Sequence, residues 1–138
     1  MRITLPWPDK ALNPNSRKHF RALAPIKAKA RDDAAYLTRE AAPRMVRQAI
    51  AAGDGRIELQ LRFYPPDKRH RDDDNMIASF KAARDGIADG LKVNDRRFRA
   101  SYHFGDPEKP GRVEVVISAP QKATSWAVPP AIAKARAA

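Results

Sequence analysis

The chain contains no cysteine. This absence excludes disulfides, thiolate metal sites and cysteine nucleophiles. No run of apolar residues approaches the ~20 that a membrane-spanning helix needs. The opening segment, MRITLPWPDK, lacks the apolar core of a signal peptide. Together these absences predict a cytoplasmic protein that does not enter a membrane.

Acidic residues are also in short supply. The chain has 16 aspartates and glutamates against 27 lysines and arginines, which gives a formal net charge of +11. Such an excess favours a polyanionic partner, nucleic acid before membrane, because basic side chains neutralise phosphates and release their counterions. A simple contribution to solubility is the alternative explanation of the charge.

The length of 138 residues and the hydrophobic content of 43% predict one globular domain. Residues 56–64, RIELQLRFY, alternate apolar and polar side chains as a half-buried strand does. Residues 75–90 carry an apolar stripe with helical spacing, namely Met76, Phe80, Ala83, Ile87 and Leu91.

The predicted fold is α+β, in the order β-α-β-α-β-β, with a mixed sheet of about four strands packed against two main helices. Residues 1–118 form the domain, and residues 119–138, rich in alanine, proline and lysine, form a flexible tail. The other predicted elements are strands at 2–5, 96–104 and 112–118, the last two as a hairpin; a loop at 6–25; a helix from about residue 26, broken by Pro43; and a second helical piece at 45–51.

Three consecutive aspartates stand out in the stretch RHRDDDNMIASFKAARDG, residues 69–86. Aspartates at a helix start cap backbone N–H groups and interact with the helix dipole, each contributing roughly 0.3–2 kcal/mol. That role accounts well for one aspartate and tolerably for a second. A bound divalent cation is the other explanation, because hard cations such as Mg²⁺ prefer carboxylate oxygens.

The spacing of these residues bears on a metal site. If the helix entry is extended, the side chains of Asp72 and Asp74 share one side, while that of Asp73 points away. On the predicted helix, Asp74, Lys81 and Asp85 line one face. Asp95 follows the far end of the helix, so only the sheet topology can bring it to the other aspartates. Paired metals could activate water at a phosphodiester, and a nearby lysine could stabilise the added charge.

Other catalytic motifs are absent from the sequence. An EF-hand loop beginning at Asp72 would place Ile77 at its glycine position and Ala83 at its glutamate position. No serine lies in a nucleophile elbow, and neither a P-loop nor a GxGxxG pattern occurs.

The segment RHRDDDNMIASFKAARDGIADGLKVND resembles the signature of RusA-type Holliday-junction resolvases and their phage relatives. The opening ITLPWP and the asparagine- and arginine-rich loop after it are also similar, so the resemblance spans residues 2–118. It implies that Asp72, Asp74 and Asp95 bind metal and that Lys81 is the essential lysine. There are two departures: Ala78 stands where the best-known members have the lysine, and Asn94 replaces one acidic residue of a pair.

The resemblance implies a homodimer that binds four-way DNA junctions in recombination and repair. With Mg²⁺, or Mn²⁺ as a possible substitute, such an enzyme makes paired symmetric nicks that leave 5′-phosphate and 3′-hydroxyl ends. Two alternatives are a non-catalytic DNA-binding protein on the same fold and an RNA-associated basic protein. The residues expected to contact nucleic acid are Arg17, Lys18, His19, Lys27, Lys68, Arg69, Arg71, Asn75, Arg96 and Arg97.

Overall fold

The computed structural model describes residues 1–119, so the tail predicted for residues 119–138 lies outside this range apart from Ala119. Within residues 1–119, no helix is both long enough and apolar enough to cross a membrane. The elements are β1 (Arg2–Pro6), α1 (Phe20–Ala41), α2 (Arg44–Ala52), β2 (Ile57–Tyr64), α3 (Asp73–Ser79), α4 (Lys81–Leu91), β3 (Phe98–Phe104) and β4 (Arg112–Ser118), with short 3₁₀ turns at Lys10–Leu12 and Asp95–Arg97.

The four strands form one mixed sheet in the order β1-β4-β2-β3. β4 runs antiparallel to both of its neighbours, whereas β2 and β3 are parallel. Helices α3 and α4 connect β2 to β3 and so complete a β-α-β crossover. The α+β class and the mixed sheet of four strands are confirmed.

The predicted hairpin between the last two strands is wrong, because β2 lies between β3 and β4. The apolar side chains of β2 are buried by neighbours on both sides, with Leu61 opposite Tyr102 of β3 and Val115 of β4. β3 also begins two residues later than predicted. Asp95–Arg97 forms a 3₁₀ turn instead, in which the side-chain oxygen of Asn94 accepts from the backbone N–H of Arg96 at 2.9 Å.

The alternation predicted in β2 is confirmed. Ile57, Leu59, Leu61 and Phe63 are buried and form the centre of the core with Val113, Val115 and Ile117 of β4. The residues between them in β2 are exposed. The helices therefore cover one face of the sheet, and within residues 1–119 the other face is open to solvent.

The first helix begins earlier than predicted, at Phe20 rather than near residue 26. The ring nitrogen Nδ1 of His19 caps it by accepting from the backbone N–H of Arg21 at 3.2 Å. Pro25, the last residue of the predicted loop, falls in the second turn of this helix. Pro43 does separate α1 from α2, as predicted.

The helix predicted for residues 75–90 is interrupted at Phe80, which ends α3 and precedes α4. Its predicted apolar stripe still faces the core, with Met76, Phe80, Ile87 and Leu91 buried and Ala83 half-buried. The domain thus contains four α-helices within residues 1–119: α2 matches the helical piece predicted at 45–51, and the division into α3 and α4 was not predicted.

Helices α1 and α4 pack at very close range. A Cβ atom on Gly86 would overlap the carbonyl oxygen of Arg31, and one on Gly90 would lie 2.8 Å from the Cβ of Thr38. The guanidinium of Arg31 also donates to both carboxylate oxygens of Asp89, at 2.5 and 2.9 Å. The two helices therefore present their exposed residues at a fixed spacing.

Candidate functional site

The acidic stretch follows the carboxyl end of β2 and leads into α3. Asp72 is the N-cap of α3, with ψ 136, whereas Asp73 and Asp74 already belong to the first helical turn. The extended entry therefore ends at Asp72. The alternation that would have placed Asp72 and Asp74 on one side does not hold, because it applies to extended backbone only.

The three aspartates differ in their contacts. The Asp72 carboxylate lies 3.2 Å from Nε2 of His70 and 3.5 Å from Nδ2 of Asn75, and it makes no capping hydrogen bond to the helix. Asp73 and Asp74 are exposed and have no side-chain partner among residues 1–119. Their negative charge at the start of α3 interacts favourably with the helix dipole. Their oxygens are also accessible to a cation from solvent.

Lys81 forms a second cluster with two acidic residues. Its ammonium lies 2.8 Å from the carboxylate of Asp85 and 3.9 Å from that of Asp95. Asp95 reaches this position because α4 ends in a left-handed residue, Lys92, with φ 56. The backbone N–H of Val93 then bonds to the carbonyl of Ala88 at 3.0 Å, which turns the chain back along the helix.

The predicted metal ligands are not gathered at one point. No three acidic or histidine side chains in residues 1–119 are placed to hold one metal ion together. The reason is topological: Asp72 follows the end of β2, and Asp95 precedes the start of the parallel strand β3. The exposed carboxylates of Asp72 and Asp74 nevertheless fit Mg²⁺ in donor type, since Mg²⁺ often takes one or two carboxylates and keeps several waters.

The loop before the aspartates is held by Arg71. Its guanidinium forms an ion pair with Asp67 at 2.9 Å, donates to the carbonyls of Asp67 and Arg69, and lies 5.5 Å from the ring centre of Trp7. The backbone N–H of Arg69 and the Arg71 guanidinium hold the pKa of Asp67 below its ordinary value. Arg71 therefore fixes the approach of the chain to Asp72.

Two of the cavities beside α3 are lined by candidate site residues. One, of about 390 Å³, lies between the N-terminal loop and the acidic loop and has Asp72 in its wall. The other, of about 740 Å³, is lined by Lys27, Lys81 and Asp85. Asn13 and Ser79 border both cavities, so the two candidate clusters open onto neighbouring depressions.

The residues predicted to contact nucleic acid fall into two groups. Arg71 and Arg97 are half-buried and satisfied within the domain, with Arg97 donating to the carbonyls of Gly55 and Ile50 at 2.6 and 2.9 Å. His19 caps α1 and Asn75 contacts Asp72. The other predicted residues are exposed, and their side chains form no hydrogen bond or ion pair among residues 1–119: Arg17, Lys18, Lys27, Lys68, Arg69 and Arg96.

Sequence reasoning missed Trp7, Asn13 and Asn15 as residues that line a cavity beside Asp72. The signal available for them was the loop sequence Asn-Pro-Asn, in which asparagines stabilise turns. That signal indicates a loop but does not indicate which other loop it faces. The contact with residues 66–72 depends on the tertiary fold.

The sequence was compared with family models and with known proteins, and the second comparison found a relative. No family model matches the sequence. An uncharacterized protein of Xylella fastidiosa (strain Temecula1 / ATCC 700964) is 44% identical over 116 residues, which cover 84% of this chain and 73% of the relative. Identity at this level over most of both chains means a shared fold. The chain belongs to the same protein family as this Xylella fastidiosa protein.

Proposed function

We propose that the protein is a Mg²⁺-dependent, structure-selective endodeoxyribonuclease that resolves four-way DNA junctions by paired nicks. The sequence resemblance to RusA-type resolvases names this activity. The structural observation that supports this activity is the contact of Lys81 with both Asp85 and Asp95. This contact brings two of the residues expected to be catalytic, Lys81 and Asp95, together on an exposed surface.

The cluster suits phosphodiester chemistry because it combines a cation with acceptors. The side chain of Lys81 is 64% exposed, so its ammonium can exchange a carboxylate for a substrate phosphate oxygen. Asp72 and Asp74 would hold Mg²⁺, and Mg²⁺, when bound, lowers the pKa of water and stabilises the leaving oxygen.

The exposed basic residues would hold the phosphates on either side of the cut. Arg17 and Lys18 lie on the loop before α1, and Lys68 and Arg69 lie on the loop before α3. Both loops border the cavity beside Asp72. Nicks placed symmetrically across a junction require two active sites, which a homodimer would supply.

The test is cleavage of a synthetic, 5′-labelled four-way junction with Mg²⁺ and with EDTA. A linear duplex of the same arm sequence serves as the substrate control. Asp74→Asn removes one carboxylate charge from the proposed metal site. Asp73→Asn is its matched control, because it makes the same change at the next residue, to which no catalytic role is assigned.

Paired nicks on the junction alone, lost with EDTA and with Asp74→Asn but kept with Asp73→Asn, would support the proposal. Junction binding by the wild type with no cleavage at any Mg²⁺ or Mn²⁺ concentration would overturn it. That outcome would favour a non-catalytic junction-binding protein. The two departures from the RusA-type signature, Ala78 and Asn94, are what favour this second candidate.

A further inference from the structure

We infer that the cavity between the N-terminal loop and the acidic loop is a binding site for one unstacked nucleobase of the DNA substrate. This inference rests on the proposed function and adds to it the part of the substrate that is read beside the cut. The cavity has a volume of about 390 Å³, within the ~300–1,000 Å³ range of small-molecule sites. Its wall includes Asp72, so a nucleotide bound there lies next to the proposed metal site.

The apolar part of the wall suits a flat ring. It consists of Trp7, Pro8, Pro66 and Met76. The indole of Trp7 is anchored edge-on against Phe63, with ring centres 6.2 Å apart. The guanidinium of Arg71 lies over the indole, 5.5 Å from the ring centre, and helps to hold the ring in place. Trp7 is only half-buried, so a base can stack on the accessible part of the indole.

The polar part of the wall carries amide groups whose hydrogen-bonding capacity is not used up. The side chain of Asn15 has no partner among residues 1–119. Asn13 uses its oxygen to accept from the backbone N–H of Asn15 at 2.8 Å and keeps its NH₂ free. The NH₂ of Asn75 approaches Asp72 at 3.5 Å, and its oxygen has no partner within the described residues.

Amide groups of this kind match the edges of nucleobases, which also present donors and acceptors side by side. A phosphate or sugar alone would not explain the combination of an aromatic wall with three amides. The cations at the rim, Lys10 and Arg69, are placed to hold the phosphates that flank the base. The occupant is therefore a base of the DNA strand that is cut, flipped out of its stack as in enzymes that act on single nucleotides.

Tryptophan fluorescence gives a direct test. The chain has two tryptophans, so Trp126→Phe leaves Trp7 as the single indole. The four deoxynucleoside monophosphates are titrated into this full-length variant, and deoxyribose 5-phosphate is the control that lacks a base. Asn15→Ala is made in the same background, because the Asn15 side chain is exposed and makes no hydrogen bond within residues 1–119. Gln48→Ala removes an exposed amide on α2 and is the matched control.

We expect saturable quenching by at least one mononucleotide and none by deoxyribose 5-phosphate. Asn15→Ala should weaken the binding about tenfold, as loss of one base contact does, and Gln48→Ala should not change it. No base-dependent quenching, or equal binding by Asn15→Ala and the parent, would overturn the inference. So would quenching by deoxyribose 5-phosphate as strong as that by the nucleotides, which would indicate a phosphate site only.

A second measurement connects the site to cleavage. Junctions with randomised bases at the crossover are nicked by the wild type and by Asn15→Ala, and the cut positions are sequenced. A base site predicts that, among the nicks each protein makes, the variant shows a weaker sequence preference than the wild type. An unchanged preference would contradict it. If no junction is cut at all, the proposed function fails while the fluorescence test still decides the base site.

Discussion

The ammonium of Lys81 lies 3.9 Å from the carboxylate of Asp95, although Lys81 is the first residue of α4 and Asp95 follows its end. The left-handed conformation of Lys92 makes this possible by turning the chain back along the helix. Lys81 also contacts Asp85 at 2.8 Å, so one cation faces two carboxylates at the surface. This arrangement ties the start of α4 to the segment that leads into β3.

Lys81→Met should reduce junction nicking by about 10²–10³-fold, because the cation that stabilises charge on the phosphate is removed. Junction binding should change little, since the exposed arginines remain. The measurement is single-turnover cleavage together with binding by gel shift. Lys29→Met is the matched control, because Lys29 forms the same kind of pair along a helix, with Asp33 at 2.6 Å. Full activity of Lys81→Met would remove this residue from the proposed site.

Gly86→Ala should destabilise the fold. Alanine is normally the better helix former by about 1 kcal/mol, but here its methyl group would overlap the carbonyl of Arg31 on α1. Overpacking of this kind costs about 1–3 kcal/mol in the free energy of unfolding, measured with urea. Gly55→Ala, where an added Cβ meets nothing within 4 Å, should stay within about 0.5 kcal/mol of wild type. A neutral Gly86→Ala would show that the two helices can move apart at little cost.

Asp89 should contribute stability that is lost in acid. The hydrogen bonds from Arg31 lower the pKa of Asp89 in the folded protein. A depressed folded-state pKa stabilises the fold above the unfolded pKa of about 3.9, and this contribution disappears as the pH falls through the folded value. The difference in free energy of unfolding between wild type and Asp89→Asn should therefore be largest near neutral pH and shrink below about pH 4.

The control for this prediction is Asp106→Asn, whose exposed side chain has no partner within the part of the chain that the structure describes. Its effect on stability should be small over the whole pH range. A difference for Asp89→Asn that is independent of pH would instead point to altered packing between α1 and α4.

Two arginines predicted to contact DNA should behave differently when replaced by alanine. Arg17 is exposed and unpaired within residues 1–119, so Arg17→Ala should weaken junction binding and reduce the salt slope of log K by about 1. Arg97 is bound to the carbonyls of Gly55 and Ile50, so Arg97→Ala should lower the melting temperature instead. Binding titrations at several salt concentrations and thermal unfolding separate the two effects. An unchanged salt slope for Arg17→Ala would exclude a phosphate contact there.

Features of the fold that depend on local sequence patterns could be predicted, and features that depend on contacts between distant segments could not. The strand β2 was predictable because its period of two is a local pattern, and the buried stripe through Met76 and Leu91 was predictable for the same reason. The pairing of β3 with β2 rather than β4 was not, because strand order depends on contacts between distant segments. The break between α3 and α4 at Phe80 could not be predicted either, because the helical spacing of the apolar residues continues across this short interruption.

The candidate site shows the same division. The residue types at positions 72, 74 and 81 could be read from the sequence, but their mutual placement could not. The approach of Asp95 to Lys81 required a left-handed turn at a lysine, which no sequence rule indicates. The separation of Asp72 from Asp95 followed from the parallel pairing of β2 and β3.

The solvent-exposed face of the sheet allows the protein to be labelled on the side opposite its helices. Gln60, at the centre of β2, is exposed on the side away from the helices. Because the chain has no cysteine, Gln60→Cys would introduce a single thiol for a fluorophore or a surface linker. An immobilised protein would then present its helices and both cavities to solution, so that the opening and folding of one labelled DNA junction could be followed on one molecule.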